Sequence, residues 1–295
     1  MGARVFRIHI RPDGGANNAI ISFQYCLDRN VLGVGWAIDV LEHETIDWSA
    51  YESRAVGQHQ TINIVRYLYR EVKINDLVWT RAPNGIYYIA KVIGPWHYLD
   101  NPEARNADIV NVFDVKLIQI PCPDDVPGAV IANFRAKKTL QPIKDSFAID
   151  YSKKLWNELS NEREYEIIGN KYPVWSALTD EQVEDIVFIF LQMKGWVVIP
   201  NSRKKDTMSY EFLLIHRDSG DRAIVQAKTG QAVIDLSFYK DFDCKVFLFQ
   251  PNGCYNGEFS EKLYRINSED VQAFIYNNKG LNPGSILRWF DFKFK

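Results

Sequence analysis

The stretch DRAIVQAKTG, residues 221–230, sets an amide, Gln226, and an amine, Lys228, two positions apart in an otherwise apolar run. Side chains at i and i+2 leave a strand on the same face. Gln226 and Lys228 are therefore expected to point one way, and Ala223, Val225 and Ala227 the other. An amide and an amine together at the end of a half-buried strand are either an accident of the surface or part of a site.

The surrounding sequence gives that strand its company. In LTDEQVEDIVFIFLQMKGW (178–196), Thr179 followed three residues later by Gln182 is a capping box, and Gly195 closes the predicted helix. Val183, Ile186, Val187, Phe190 and Leu191 mark its buried face. WVVIP (196–200), YEFLLI (210–215), AIVQAK (223–228) and KVFLFQ (245–250) then read as strands, with HRDSGDR as a turn and a helical segment at the C-terminus. This order predicts an α/β arrangement. The hairpin can bring the carboxylate of Glu211, fifteen residues before Gln226, to the amide and the amine. A carboxylate and a carbonyl oxygen are hard ligands suited to Mg²⁺, with Mn²⁺ as the substitute. Lys228 would orient or deprotonate a water, and the metal would offset charge on a phosphodiester oxygen.

Those residues, in that order, resemble the Mrr-like catalytic domain of the PD-(D/E)xK restriction-endonuclease superfamily, in its Q-x-K form. The resemblance covers about 120 residues and implies a restriction-endonuclease-like α/β sandwich that hydrolyses phosphodiester bonds. By it Glu184 matches the helix Glu, Glu211 the acidic metal ligand, Gln226 the second ligand and Lys228 the catalytic lysine. The chain departs from the family in having Glu211 where Asp is usual, and KKDTMSY where the lead-in is glycine-rich; Asp206 is the alternative acid.

Residues 1 to about 120 read differently. AIISFQYCL, VLGVGWAI, DLVWTRA, GIYYIAKVIG and VNVFDVKLIQI are rich in β-branched and aromatic residues between turn signals, and are predicted as strands. GQHQTINIVRYLYREV spaces Ile62, Val65 and Leu68 or Tyr69 as a helix. A small β-barrel or strongly bent sheet with a few helices is the expectation. The run from His59 to Asp100 resembles EVE domains of the PUA-like superfamily, with Asn75-Asp76 where Gly-Asp is usual. That resemblance implies a pocket for a flipped, modified base, held against aromatic side chains and read at its edge. Trp36 and Trp79 are the first candidates for the pocket, with Trp48 and Trp96 behind them. A Trp in a β-rich half also packs in cores, and both readings stand.

Composition bounds the rest. At 295 residues, with 46% hydrophobic and 24% charged residues, the chain is expected to fold as two globular domains. We place a base-recognition domain at 1–145, a linker at 146–172 after the turn-rich PCPDDVPG, and the nuclease-like domain at 173–295. A formal net charge of −2 excludes coating of nucleic acid by bulk charge, but NSRKK (201–205) and RAKK (135–138) are local clusters that are either solvated loops or phosphate contacts. The four cysteines form no C-x-x-C pair and the five histidines show no ligand spacing, so neither is assigned to a metal. No apolar run spans a bilayer, Phe6 stands where a myristoylation signal prefers Ser or Thr, and a cytoplasmic protein is expected.

The sequence thus points to a modification-dependent DNA endonuclease of the restriction or phage-defence kind, expected to act as a homodimer because a double-strand cut needs two sites. The alternative is a non-catalytic protein that binds modified nucleic acid on a nuclease-like platform. An RNA-directed protein is a third reading.

Overall fold

The computed structural model describes residues 3–12, 16–41, 44–167, 172–199 and 210–293. The basic run 201–205 and Asp206 lie outside them. The chain divides into two compact units, Met1–Gly169 and Asn170–Lys295. Both mix helices and strands. Among the described residues no helix is long and apolar enough to cross a membrane.

The first unit runs β1 (Val5–Ile8), α1 (Ala16–Arg29), β2 (Val31–Val34), α2 (Trp48–Gln58), α3 (Asn63–Glu71), β3 (Leu77–Arg81), β4 (Tyr87–Tyr98), α4 (Pro102–Asn106), β5 (Asn111–Gln119), α5 (Gly128–Arg135), β6 (Leu140–Pro142) and α6 (Ser146–Ser160). Its six strands pair in the order β2-β5-β4-β3-β1-β6, with β1 parallel to β3 and the other pairs antiparallel. Among the described residues β2 and β6 do not pair and no closed barrel is found, where a small barrel or a strongly bent sheet was expected. AIISFQYCL, expected as a strand, lies in helix α1. Its buried Ser22, Phe23 and Cys26 follow helical spacing, while Ile20 and Ile21 face outward.

Side chains that alternate along the strands bury both faces of this sheet. Phe6, Ile8, Val78, Ala90 and Val112 join one core with Phe23 of α1, Tyr51 of α2 and Val65 of α3. On the other face Trp79 meets α6. The segment 146–172, expected as a linker, thus supplies a packed helix to the first unit. Phe147, Tyr151 and Leu155 recur every fourth residue on its buried side, and Asp145 caps it by accepting from Ala148 N.

The second unit runs α7 (Asp180–Met193), β7 (Trp196–Val198), β8 (Phe212–His216), β9 (Arg222–Ala227), β10 (Ile234–Asp235), β11 (Lys245–Phe249), β12 (Tyr255–Asn256), β13 (Leu263–Arg265), α8 (Ser268–Asn277) and α9 (Gly284–Lys293). The expected capping box is formed: Thr179 Oγ1 accepts from Gln182 N at 3.0 Å and Gln182 Oε1 from Thr179 N at 2.9 Å. Gly195 ends the helix at φ +91°. A five-stranded sheet follows in the order β13-β11-β9-β8-β7. The β7-β8-β9 meander is antiparallel, and β9, β11 and β13 are parallel. β9 is therefore central. From Ala223 to Ala227 every side chain is buried, where the sequence suggested a half-buried strand.

Candidate functional site

Antiparallel pairing of β8 with β9 sets Phe212 opposite Val225, and one step further sets Glu211 opposite Gln226. The ladder continues through Glu211 N, which donates to Val225 O at 2.8 Å. Gln226 is 3% exposed, and its Nε2 donates to Glu211 Oε1 at 2.7 Å and to Ala227 O at 3.0 Å. Lys228 Nζ stands 3.8 Å from the same Glu211 oxygen, with the Lys228 side chain about half exposed. Its backbone N–H donates to Phe249 O at 2.9 Å, which ties it to β11. The carboxylate, amide and amine picked from the sequence thus meet at one end of the central strand, where a buried group and a solvent-facing group share one acceptor.

Four residues that the sequence reading passed over shape this end. Thr229 Oγ1 donates to Asp180 in the first turn of α7, which fixes the helix against the chain just after Lys228. Glu184 follows Asp180 by four residues and shares its helix face. Gln250, 1% exposed, donates to Gly230 O at 3.0 Å and Ala232 O at 3.1 Å and so holds the loop beyond Lys228. Tyr239 is buried; burial, with the Glu211 charge adding to it, pushes its phenol up to about 12 and keeps it protonated. A buried Gln ending a strand, as in KVFLFQ, is the one sequence signal that could have flagged Gln250.

The donor set fits a hard cation in one respect. Gln226 Nε2, a positively polarised group, sits between two oxygens, Glu211 Oε1 and the Ala227 carbonyl. If the amide turns over, Gln226 Oε1 becomes a third oxygen beside them, the ligand class Mg²⁺ takes. Among the described residues no group of three or more His, Cys, Asp and Glu side chains could hold a metal ion, and Glu211 is the carboxylate that Gln226 and Lys228 meet.

In the first unit the four tryptophans part company. Trp79 is fully buried on β3, and its Nε1 donates to Ser152 Oγ of α6 at 2.8 Å. It is a core residue and not a pocket wall. Trp48 and Trp96 come together: Trp48 stacks on Tyr69 at 3.9 Å with the rings 2° from parallel, and Trp96 meets Trp48 edge-on at 5.1 Å. Tyr51 and Tyr98 extend the cluster. Trp96 Nε1 and Asn111 Oδ1 are buried there with no hydrogen-bond partner among the described residues. Asn111 Nδ2 donates to Gly35 O at 2.5 Å and to Tyr51 Oη at 3.0 Å, while Tyr51 donates to Trp36 O at 2.9 Å. Trp36 itself takes φ +63°. Its backbone borders the aromatic cluster, and its ring packs against the core. Asn75 takes φ +71°, the conformation a glycine supplies in a Gly-Asp turn. Asp76 is buried, accepting from Arg4 N and Lys73 N, each at 2.9 Å.

No protein-family model matches the chain, and neither does any curated protein or solved structure.

Proposed function

We propose that the chain is a modification-dependent DNA endonuclease, in which a PUA-like first unit reads a modified base and a restriction-endonuclease-like second unit cuts the phosphodiester backbone. The reading is carried by the convergence of Glu211, Gln226 and Lys228 on one carboxylate oxygen at the end of β9, at distances of 2.7 Å and 3.8 Å. Their order along the chain is that of the Mrr-like Q-x-K nucleases.

Glu211 Oε1, the Ala227 carbonyl and Gln226 Oε1 would hold Mg²⁺, or Mn²⁺ in its place. When bound, the metal supplies a water of lowered pKa and a positive charge against the phosphoryl oxygen. Gln226 gives the site a neutral ligand, so Glu211 alone sets its negative charge. Lys228, half exposed beside that carboxylate, would hold a phosphate oxygen or the attacking water. Glu184, on the face of α7 that Asp180 anchors to Thr229, would support the metal or a second ion. In the first unit Trp48 and Trp96 would take the base, with Tyr69 leaving the Trp48 face to admit it, and the unpartnered Trp96 Nε1 and Asn111 Oδ1 would read its edge. Two copies of the chain would supply the two cuts of a duplex.

The lack, among the described residues, of a group of three or more metal-ligating side chains favours a second reading, a non-catalytic binder of modified nucleic acid. Cleavage of phage DNAs with different cytosine modifications, beside unmodified DNA, separates the two when run with Mg²⁺ or Mn²⁺ on the chain and its Lys228→Ala and Glu211→Gln variants. Modification-dependent cutting that both variants lose supports the endonuclease. Cutting of all DNAs alike sinks the base reader. Retained binding to one modified DNA without cutting by any of the three proteins selects the second reading.

A further inference from the structure

At the end of the first unit's sheet where β1 and β3 finish and β6 begins, cations gather. Arg7 is fully enclosed, yet among the described residues its guanidinium donates only to backbone carbonyls, those of Ala136 and Thr139 at 3.4 Å and that of Lys138, and its Nε has no partner. His9, two residues on, stacks on Phe134 at 4.9 Å. The parallel register of Arg7 with Trp79, carried two places further, sets His9 beside Arg81. The Arg7 and Arg81 guanidiniums both lie 5.5 Å from the centroid of that same Phe134 ring. Arg11 donates to Lys137 O at 2.9 Å, which draws the RAKK loop to the group. Arg11, Arg81, Lys137 and Lys138 are exposed.

A buried guanidinium usually has a carboxylate beside it, because its desolvation is costly. Among the described residues none of Arg7, Arg11, Arg81, Lys137 and Lys138 has an acid within ion-pair distance. Burial first, then Arg7, Arg11 and Arg81, push the His9 imidazole down to about 3, so it stays neutral with Nε2 unpartnered. Cation–π contacts with Phe134 offset part of the repulsion. The chain's net charge of −2 makes this concentration local.

We infer that the Arg11–Arg81–Lys137–Lys138 edge is a phosphate-binding face by which the first unit grips the sugar-phosphate backbone of a nucleic acid. It lies on β3-β1-β6, whereas the aromatic cluster is built on β2-β5-β4 with α2 and α3, so grip and base reading are separate. The inference rests on the proposed function only in naming the polyanion. Arg81 on β3 and the lysines leading into β6 are two strand spacings apart, about 10 Å. That span exceeds one phosphate and suits a chain of them.

The test measures binding of the full chain, without divalent metal, to modified and unmodified duplexes over a range of NaCl. It compares wild type with a quadruple Ala variant at Arg11, Arg81, Lys137 and Lys138, and with Lys137→Ala/Lys138→Ala, whose loop positions leave the sheet intact. Each lost phosphate contact lowers the slope of log affinity against log salt by about 0.9, so the quadruple variant loses about 2 to 3.5 and the pair about 1 to 2. Affinity falls by about tenfold or more for both duplexes at 0.1 M salt. Unchanged slopes overturn the inference. A wild-type affinity ratio of one between the duplexes, with the slope loss intact, refutes the base reader and leaves this face standing. If the four residues govern binding of inorganic phosphate or of phosphatidylserine vesicles while duplex slopes are unmoved, the face serves a small anion or a lipid and the inference fails.

Discussion

Replacing Trp79 with Phe separates a core tryptophan from a base-reading one. The indole is fully buried and donates to Ser152 Oγ at 2.8 Å, and Ser152 in turn donates to Ala148 O at 2.6 Å within α6. The substitution removes one hydrogen bond, about 1 kcal/mol, and leaves a void. The smaller ring adds about 1 to 2 kcal/mol of lost packing, for a total of about 2 to 3 kcal/mol. For a unit of this size each kcal/mol lowers the midpoint by about 2 to 4 °C, so the first unit's calorimetric transition should fall by about 4 to 12 °C. Ser152→Ala strands the indole N–H and costs about 1 to 2 kcal/mol. The double variant should lose about 1 kcal/mol less than the sum, since the two share one bond. The preference for modified DNA should not move. Trp48→Ala should instead cut that preference by about tenfold, as the loss of one stacking face predicts, and also lower the midpoint, since Trp48 packs on Tyr69, Trp96 and the core. A Trp79→Phe protein that unfolds like wild type but no longer distinguishes modified DNA would refute this assignment.

Two further changes test the frame around the first unit's sites. Gly33→Ala puts a Cβ 2.3 Å from Asn111 O, a backbone atom that cannot swing away, so it should destabilise by about 1 to 3 kcal/mol in thermal unfolding. His9 is faced by Arg7, Arg11, Arg81 and the Phe134 backbone, and its depressed pKa, about 3 against 6.5, means the unfolded chain takes up the proton first as pH falls. Stability contributed at this position is present above pH 6.5 and lost as pH drops toward 3. Allowing for screening at a half-buried site, His9→Gln should remove about 2 kcal/mol of the decline between pH 6.5 and 4.5, measured by urea unfolding at each pH.

What was legible in the sequence was local or carried by a short register. Thr179 and Gln182 cap α7 because both partners lie within one turn. Glu211 meets Gln226 because an antiparallel hairpin with a tight turn fixes which residues face each other. Helix α1 was misread because Ile20, Ile21 and Phe23 have strong strand propensity, while the signal that decides, burial at residues 22, 23 and 26, exists only once the sheet is there to cover. Trp79 could not be told from Trp48 by type, since the difference is whether α6 lies over it. α6 falls in a segment that reads as polar loop with a short helical stretch, because its lysines and serines break up the apolar positions, and only its packing on the sheet makes it part of the first unit.

The arrangement around Gln226 then bears on the question its sequence raised. β9 is the central strand between antiparallel β8 and parallel β11, its side chains from 223 to 227 are buried on both faces, and a polar side chain there stands only if its hydrogen bonds are met. Glu211 and the Ala227 carbonyl meet them, and neither lies deeper in the sheet than the strand's end. An apolar residue at 226 would satisfy the sheet equally well, as the apolar neighbours Val225 and Ala227 do. It would leave Glu211 Oε1 with only the half-exposed Lys228 beside it, at 3.8 Å. The amide joins the Glu211 carboxylate to the Ala227 carbonyl through one donor group, beside the half-exposed Lys228.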